Sequence, residues 1–325
     1  MKPFSGPLAE LLNAFVKQKQ SLGFKYEVEA DELHRFSKFS LSFLTNTSKP
    51  SLTKELVLAW CVKRPDEGAR NCRRRIYPIR QFGIYLNALG YDAYVASADP
   101  KTNSFAFIPY IFTENEMDRI FSCSDQLYPN RRSAMHLIMP VILRMLYGCG
   151  LRISEAVNLQ NKNVNLVDGI LEVINGKFGK DRLVPMSDSL LTCCRQFYQV
   201  MHNYSTPDDY FFRSVEGKPV SADNVYRRFR DILWESGISH GGKGFGPRIH
   251  DLRHTFAVHS LKRVVENGTD VYCALPILST YLGHASVTAT EHYVRLTAEA
   301  FPDIQNVLDR YCGHVIPEVN WNETY

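Results

Sequence analysis

The sequence lacks most of the short motifs by which enzymes hold phosphate-bearing cofactors or metals. It has no GxxxxGK(S/T) phosphate loop, no GxGxxG after an apolar strand and no HExxH, which sets aside the common nucleotide-hydrolysing, dinucleotide-dependent and zinc-peptidase designs. The glycine-rich stretch Gly241–Gly246 follows no apolar strand and reads as a loop. No paired-carboxylate metal site is evident. The eight cysteines (Cys61, Cys72, Cys123, Cys149, Cys193, Cys194, Cys273 and Cys312) form no C-x-x-C and no Cys/His cluster with zinc-ligand spacing. They read as reduced thiols, mostly buried. No apolar run approaches the roughly 20 residues needed to cross a bilayer, and the N-terminus lacks a signal peptide's apolar core and cleavage site. The expectation is a soluble cytoplasmic protein that needs no cofactor and no metal and has no membrane partner.

What is present is an uneven charge. Residues 1–105 hold 16 Lys and Arg against 10 Asp and Glu, whereas residues 106–325 hold 22 against 24. The basic excess lies in the N-terminal third and hints at a polyanion partner. On its own it also fits an ordinary solvated surface.

Apolar spacing near 3.6 predicts helices over 4–22, 27–45, 52–62 and about 69–89. Pro78 falls inside the last, where a kink or break is expected. Residues 1–98 thus read as a small all-helical domain, and 99–112, with Pro100 and Pro109, as a linker. Thr113-Glu114-Asn115-Glu116 reads as a capping box that opens a second domain over 113–310. There, helices are expected over 133–148, 152–159, 188–201, 222–236, 250–265, 274–282 and 287–293. Short strands are expected at 164–166, 170–174 and 182–185, joined through Asp168-Gly169 and a glycine-rich hairpin over 176–180. The fold class is mainly α, with a small antiparallel sheet in the second domain.

Within this frame, cationic residues cluster after turns and at helix starts. Arg152 follows Gly-Cys-Gly-Leu, and Lys177 lies in the glycine-rich hairpin. His250 and Arg253 share a face at a helix N-terminus, where free N–H groups also favour anions. His284 follows Leu-Gly, and Tyr293 comes nine residues later. Singly, each reads as a solvated or packed side chain. Together, the segments YGCGLRISEAVNL (147–159), NGKFGKDRLVPM (175–186), HDLRHTFAVHSL (250–261) and YLGHASVTATEHYVRL (281–296) resemble, in order and spacing, the four signature boxes of the tyrosine recombinases, or phage integrases. The resemblance is close from about residue 113 to 310. Over the N-terminal domain it rests on pattern and position.

The resemblance implies a two-domain DNA clamp, with a helical SAM-like core-binding domain and a mixed α/β catalytic domain. It implies Tyr293 as the nucleophile, Arg152 and Arg253 as phosphate clamps, and Lys177 as general acid. His250 would accept the tyrosine proton and His284 would hydrogen-bond a phosphate oxygen. Glu155 reads as a helix-surface or supporting partner, Asp251 as a cap, and His254 and His259 as packing or support. DNA contacts are expected from Arg70, Arg73 and Arg80 on one helix face, from Lys180 and Arg182 near the hairpin, and from Arg227, Arg228 and Arg230. The implied partners are duplex DNA with specific core sites of a single class, further protomers in a tetramer on DNA, and sister recombinases or DNA-bending accessory proteins. The apolar tail 311–325 would dock on a neighbouring protomer, with folding back on its own domain as the alternative. The implied job is integration or excision of a mobile element. Xer-like dimer resolution, a type IB topoisomerase, a telomere resolvase, a non-catalytic DNA-binding regulator and an RNA- or protein-binding helical module stay open as alternatives.

Overall fold

Apolar residues recurring every three or four positions build the first unit around one core in a computed structural model. The structure describes residues 3–43, 51–97, 108–130, 132–174, 181–241, 246–284, 286 and 288–301. The chain divides into two compact units, Met1–Phe107 and Ile108–Tyr325. The first holds α1 (Ala9–Ser21), α2 (Glu27–Ser40), α3 (Lys54–Cys61) and α4 (Ala69–Ala88). Leu12, Phe15, Leu33, Phe36, Leu56, Trp60, Phe82 and Leu86 fill the core. Pro78 does not break α4: the helix runs through it, and the ring is buried. Packing of that face offsets the roughly 3 kcal/mol a mid-helix proline costs.

Two arginines of α4 are built into this unit. Arg75 is buried and donates to Glu67 and to the Trp60 and Val62 carbonyls. Arg80 is half-buried and donates to the Ala96 carbonyl, fastening the chain that leaves the helix. Arg70, Arg73 and Arg74 are exposed.

The second unit opens at Thr113, whose side chain and Glu116 form the expected capping box of α5 (Glu114–Asp125). Next come α6 (Met135–Gly148), the short α7 (Ile153–Val157) and a three-strand antiparallel meander of β1 (Val164–Asn165), β2 (Ile170–Val173) and β3 (Arg182–Pro185). Val173 pairs with Arg182 in the β2–β3 register. The hairpin tip, 175–180, lies outside the described residues, and with it Lys177 and Lys180. Four longer helices follow: α8 (Asp188–Met201), α9 (Ala222–Glu235), α10 (Asp251–Glu266) and α11 (Val271–Leu282). The last is α12 (Thr288–Ala300), which runs well past Tyr293. The expected helix end at that residue is therefore corrected: Tyr293 sits in mid-helix, and Thr297 donates to its carbonyl at 2.7 Å.

The apolar helix α6 and the apolar positions of α10 form the centre of the unit. Met139, Ile142, Leu143 and Leu146 of α6 and Leu252, Ala257, Val258 and Leu261 of α10 are all at or near zero exposure. Among the described cysteines, Cys149 and Cys194 are buried, Cys273 is exposed and the other four are half-buried, so fewer are interior than expected. No helix among the described residues is long and apolar enough to cross a membrane. The tail 311–325 lies outside the described residues.

Candidate active site

The last turn of α11 is where the site is assembled. A helix C-terminus leaves carbonyl oxygens without intrahelical partners and carries partial negative charge. Here three arginines from three separate segments supply the missing donors. Arg182 Nε of β3 donates to the Tyr281 carbonyl at 2.9 Å, Arg253 Nη2 of α10 to Leu282 at 2.6 Å, and Arg152 Nη2 at the start of α7 to Gly283 at 3.3 Å. Gly283 adopts φ +67°, and a β-carbon there would meet Arg182 atoms at 3.0–3.2 Å. Its lack of a side chain permits both the left-handed cap and the close guanidinium.

Gly150 plays a similar part on the opposite side. At φ +58° a β-carbon would collide with Phe256 and Leu282 at 2.7 and 2.8 Å. Its carbonyl accepts from Arg253 Nη1 at 2.6 Å. Arg253 is 1% exposed, and its guanidinium is spread between two backbone carbonyls. Burial and the charge of Arg152 lower its pKa to about 10, while Tyr293 and Glu155 act in the opposite sense.

Glu155 ties the arginines together. Its carboxylate accepts from Arg152 Nη1 at 2.7 Å and the Arg152 backbone N–H at 2.8 Å, and from Arg182 at 3.0 and 2.8 Å. Its side chain is 6% exposed and that of Arg182 is 7% exposed. Arg182, expected to contact DNA near the hairpin, is an internal brace between β3, Glu155 and α11. Burial alone would raise the Glu155 pKa, but the hydrogen bonds from Arg182 and Arg152 hold it down at about 2. A carboxylate depressed in this way stabilises the fold above its unfolded value, near 4.5, and the stabilisation drains away as pH falls toward 2. For this buried group it amounts to about 3 kcal/mol. Glu155→Gln is expected to be less stable than the parent by that order at pH 7, with the gap closing toward pH 2.5 in urea titrations. A gap of equal size at both ends would show that shape, not charge, sets the bridge.

Tyr293 is 3% exposed. Its hydroxyl lies 3.0 Å from His254 Nδ1, and its ring stacks near that of His284 at 6.0 Å between centroids and 16° between planes. Burial raises the phenol's pKa, while a hydrogen bond from Arg253 and the charges of Arg253 and Arg152 oppose it. His284 Nδ1 lies 2.8 Å from Thr290 Oγ1. His250 keeps an exposed edge at the start of α10. Desolvation of its ring and the charges of Arg253, Arg248 and Arg152 lower its pKa to about 4. Asp251, fully buried, accepts from the Arg248 backbone N–H at 2.8 Å and from its guanidinium at 3.2 Å.

Arg152, His250, Arg253, His284 and Tyr293 therefore converge on one side of α10 and the α11 terminus, and Lys177 lies outside the described residues. His254, read from sequence as packing or support, touches the tyrosine oxygen. Its signal was its place four residues after His250, on the same helix face. Tyr147 and His259 form a separate, half-buried hydrogen bond at 2.9 Å. Arg227, Arg228 and Arg230 are exposed on α9, with Arg227 bonded to Asn224 and Arg228 paired with Asp231 at 3.2 Å.

The model of the phage integrase family matches residues 111–300. The putative integrase/recombinase y4rB of Sinorhizobium fredii is 28% identical over 318 residues, covering 93% of this chain and 96% of the relative. Tyrosine recombinase XerA of Pyrococcus horikoshii is 30% identical over 236 residues, covering 70% and 73%. Two solved structures share the fold. One is XerH bound to its difH substrate in a post-cleavage complex, with TM-score 0.61, 17% identity, and 92% of this chain and 84% of that one covered. The other is the Tn1549 transposon integrase in complex with a circular intermediate DNA, with TM-score 0.60, 16% identity, and 87% and 94% covered.

Proposed function

The chain belongs to the phage integrase family, the tyrosine recombinases, and on that premise we propose that Tyr293 is the nucleophile with which it cuts and rejoins duplex DNA. The protein is a site-specific DNA recombinase. The observation that carries the assignment is the convergence on one buried phenol of a hydrogen-bonded imidazole, an arginine anchored on two carbonyls and a second arginine held by Glu155.

The chemistry follows from the charges. A phosphodiester is anionic and resists an oxygen nucleophile. Arg152 and Arg253 keep further N–H donors after bracing the backbone, and these clamp the non-bridging oxygens and stabilise the charge that builds at phosphorus. Tyr293 attacks, a 3′-phosphotyrosine forms and a 5′-hydroxyl leaves, with Lys177 protonating the departing oxygen. His250, exposed at the α10 N-terminus, and His284 complete the phosphate's surroundings. The 5′-hydroxyl of a partner duplex then attacks the phosphotyrosine and reseals the strand, so that bond energy is carried in the covalent link.

On bound DNA, Arg70 and Arg73 on α4 and Arg227, Arg228 and Arg230 on α9, all exposed, contact phosphates, which makes affinity fall steeply with salt. Four protomers act together on two core sites, exchanging their tails, with accessory DNA-bending or sister recombinase proteins where the site requires them. The biological role is integration or excision of a mobile element. Resolution of replicon dimers is the second reading, favoured by the likeness to XerA.

The test uses a duplex recovered by binding selection from a random-sequence library and nicked beside the scissile phosphate, so that the cut cannot be resealed. A covalent protein–DNA adduct should accumulate. After proteolysis, mass spectrometry should place the nucleotide on the peptide that contains Tyr293. An adduct on any other residue overturns the assignment.

A further inference from the structure

Two histidines one helical turn apart, His250 and His254, face each other at 4.8 Å between ring centroids. They are not equivalent with respect to the tyrosine. His254 Nδ1 is 3.0 Å from Tyr293 Oη, whereas His250 makes no side-chain hydrogen bond among the described residues. His254 is half-buried, and its ring lies 5.6 Å from the phenol ring. When the neutral imidazole carries its proton on Nε2, the Tyr293 hydroxyl donates to Nδ1, so the phenolic proton already points at its acceptor. Arg253, hydrogen-bonded to the same oxygen, stabilises the phenolate that would result.

Resting on Tyr293 as nucleophile, we infer that His254, rather than His250, takes the phenolic proton during DNA cleavage and returns it during resealing. In the forward step the Tyr293 O–H bond breaks, its proton passes to His254 Nδ1, the Oη–P bond forms and the P–O5′ bond breaks. The leaving oxygen is protonated by the general acid. In the reverse step the attacking 5′-hydroxyl loses its proton to that acid, and the imidazolium of His254 reprotonates Tyr293. No net proton, metal or cofactor is consumed.

The surroundings of His254 make this base conditional on substrate. Burial and the charges of His250 beside it, of Arg248 just before α10, of Arg253 on α10 and of His292 from α12 hold its pKa near 3. It is therefore neutral and serves only as an acceptor. A phosphate seated on Arg152 and Arg253 offsets the positive charge that suppresses its protonation, and the base gains strength when the substrate arrives. The tyrosine thus stays protonated until a phosphate is in place.

The experiment compares single-turnover cleavage of the selected nicked duplex with that of the same duplex carrying a 5′-bridging sulfur, which leaves without needing a proton. His254→Ala should slow both substrates by roughly 10²- to 10⁴-fold. Loss of a general acid would instead be rescued by sulfur. His254→Asn can accept the phenol's hydrogen bond but cannot carry its proton. It should stay slow, with a rate that climbs about tenfold per pH unit because hydroxide must now ionise the phenol. Melting and DNA retention report the fold, and the Asn variant carries the test if the Ala variant does not fold. Wild-type rates in His254→Asn would reduce the residue to placement and overturn the inference, as would sulfur rescue of His254→Ala. The nucleophile is checked separately with Tyr293→Phe. An adduct that persists there removes the premise, whereas no adduct there with normal rates in the His254 variants removes only this inference.

Discussion

Phenylalanine at position 293 is expected to leave a folded protein that binds DNA and forms no covalent adduct. The ring of Tyr293 is packed with Val294, Leu296 and the apolar face of α11, and phenylalanine keeps every one of those contacts. What disappears is the hydroxyl, whose hydrogen bonds run to His254 and Arg253. Removing one partner of a buried hydrogen bond costs about 1–2 kcal/mol, partly returned because a buried hydroxyl was itself costly to desolvate. Stability should therefore shift by at most about 2 kcal/mol. Cleavage should fall by roughly 10⁴-fold or more, because the covalent route loses its nucleophile. A denaturing gel of the nicked duplex reads the adduct, a gel shift reads binding and a thermal melt reads the fold. If binding and folding collapse with the adduct, the hydroxyl is a structural element and the loss of chemistry says nothing about attack.

The candidate set Arg152, His250, Arg253, His284 and Tyr293 is legible in the sequence only jointly, because its members fall in four ordered boxes that together resemble one family, while singly each reads as a solvated or packed side chain. The fold class is legible more directly, since apolar periodicity marks each helix and Asp-Gly marks the first hairpin. The bracing is not legible. Which side chains Glu155 meets depends on β3, 27 residues away. The acceptor for Arg182 Nε is 99 residues away on α11. Side-chain partners at such distances follow from tertiary packing, on which local spacing is silent. The same limit explains Arg80, which shares a sequence-level face with Arg73 yet turns to the Ala96 carbonyl. It also explains Pro78, whose local cost is overridden by the core it fills. His254 stands between these cases. Its place beside Arg253 is visible, but its partner on α12 becomes evident only once α10 and α12 are packed together.

The same packing accounts for an apparent extravagance at Arg253. This cation is almost wholly buried, and its hydrogen bonds go to two carbonyls and the Tyr293 hydroxyl, with no carboxylate bonded to it among the described residues. Its pKa is lowered from 12.5 to about 10, first by burial and then by Arg152. For a base, a folded value below the unfolded one means that the charge opposes folding at neutral pH, and that the cost is relieved only as pH rises past about 10. It amounts to roughly 3 kcal/mol. Arg253→Met keeps most of the volume and removes this cost, but it strands two carbonyls at about 1–3 kcal/mol each. The two effects nearly offset, so the variant is expected to melt within about 2 kcal/mol of the parent. Its cleavage should nonetheless drop by roughly 10³-fold or more, since the guanidinium proposed to meet the phosphate is gone. Arg253→Lys should fail almost as badly, because one ammonium cannot bridge both carbonyls and still present a planar fork. Bound DNA should also raise the melting temperature of the parent more than that of Arg253→Met, since the methionine leaves no buried cation there for a phosphate to neutralise. Destabilisation of Arg253→Met beyond about 4 kcal/mol would show instead that the arginine is kept as a brace. A small change in stability with a large loss of rate would show that the fold tolerates an uncompensated charge because the missing counter-charge is the substrate.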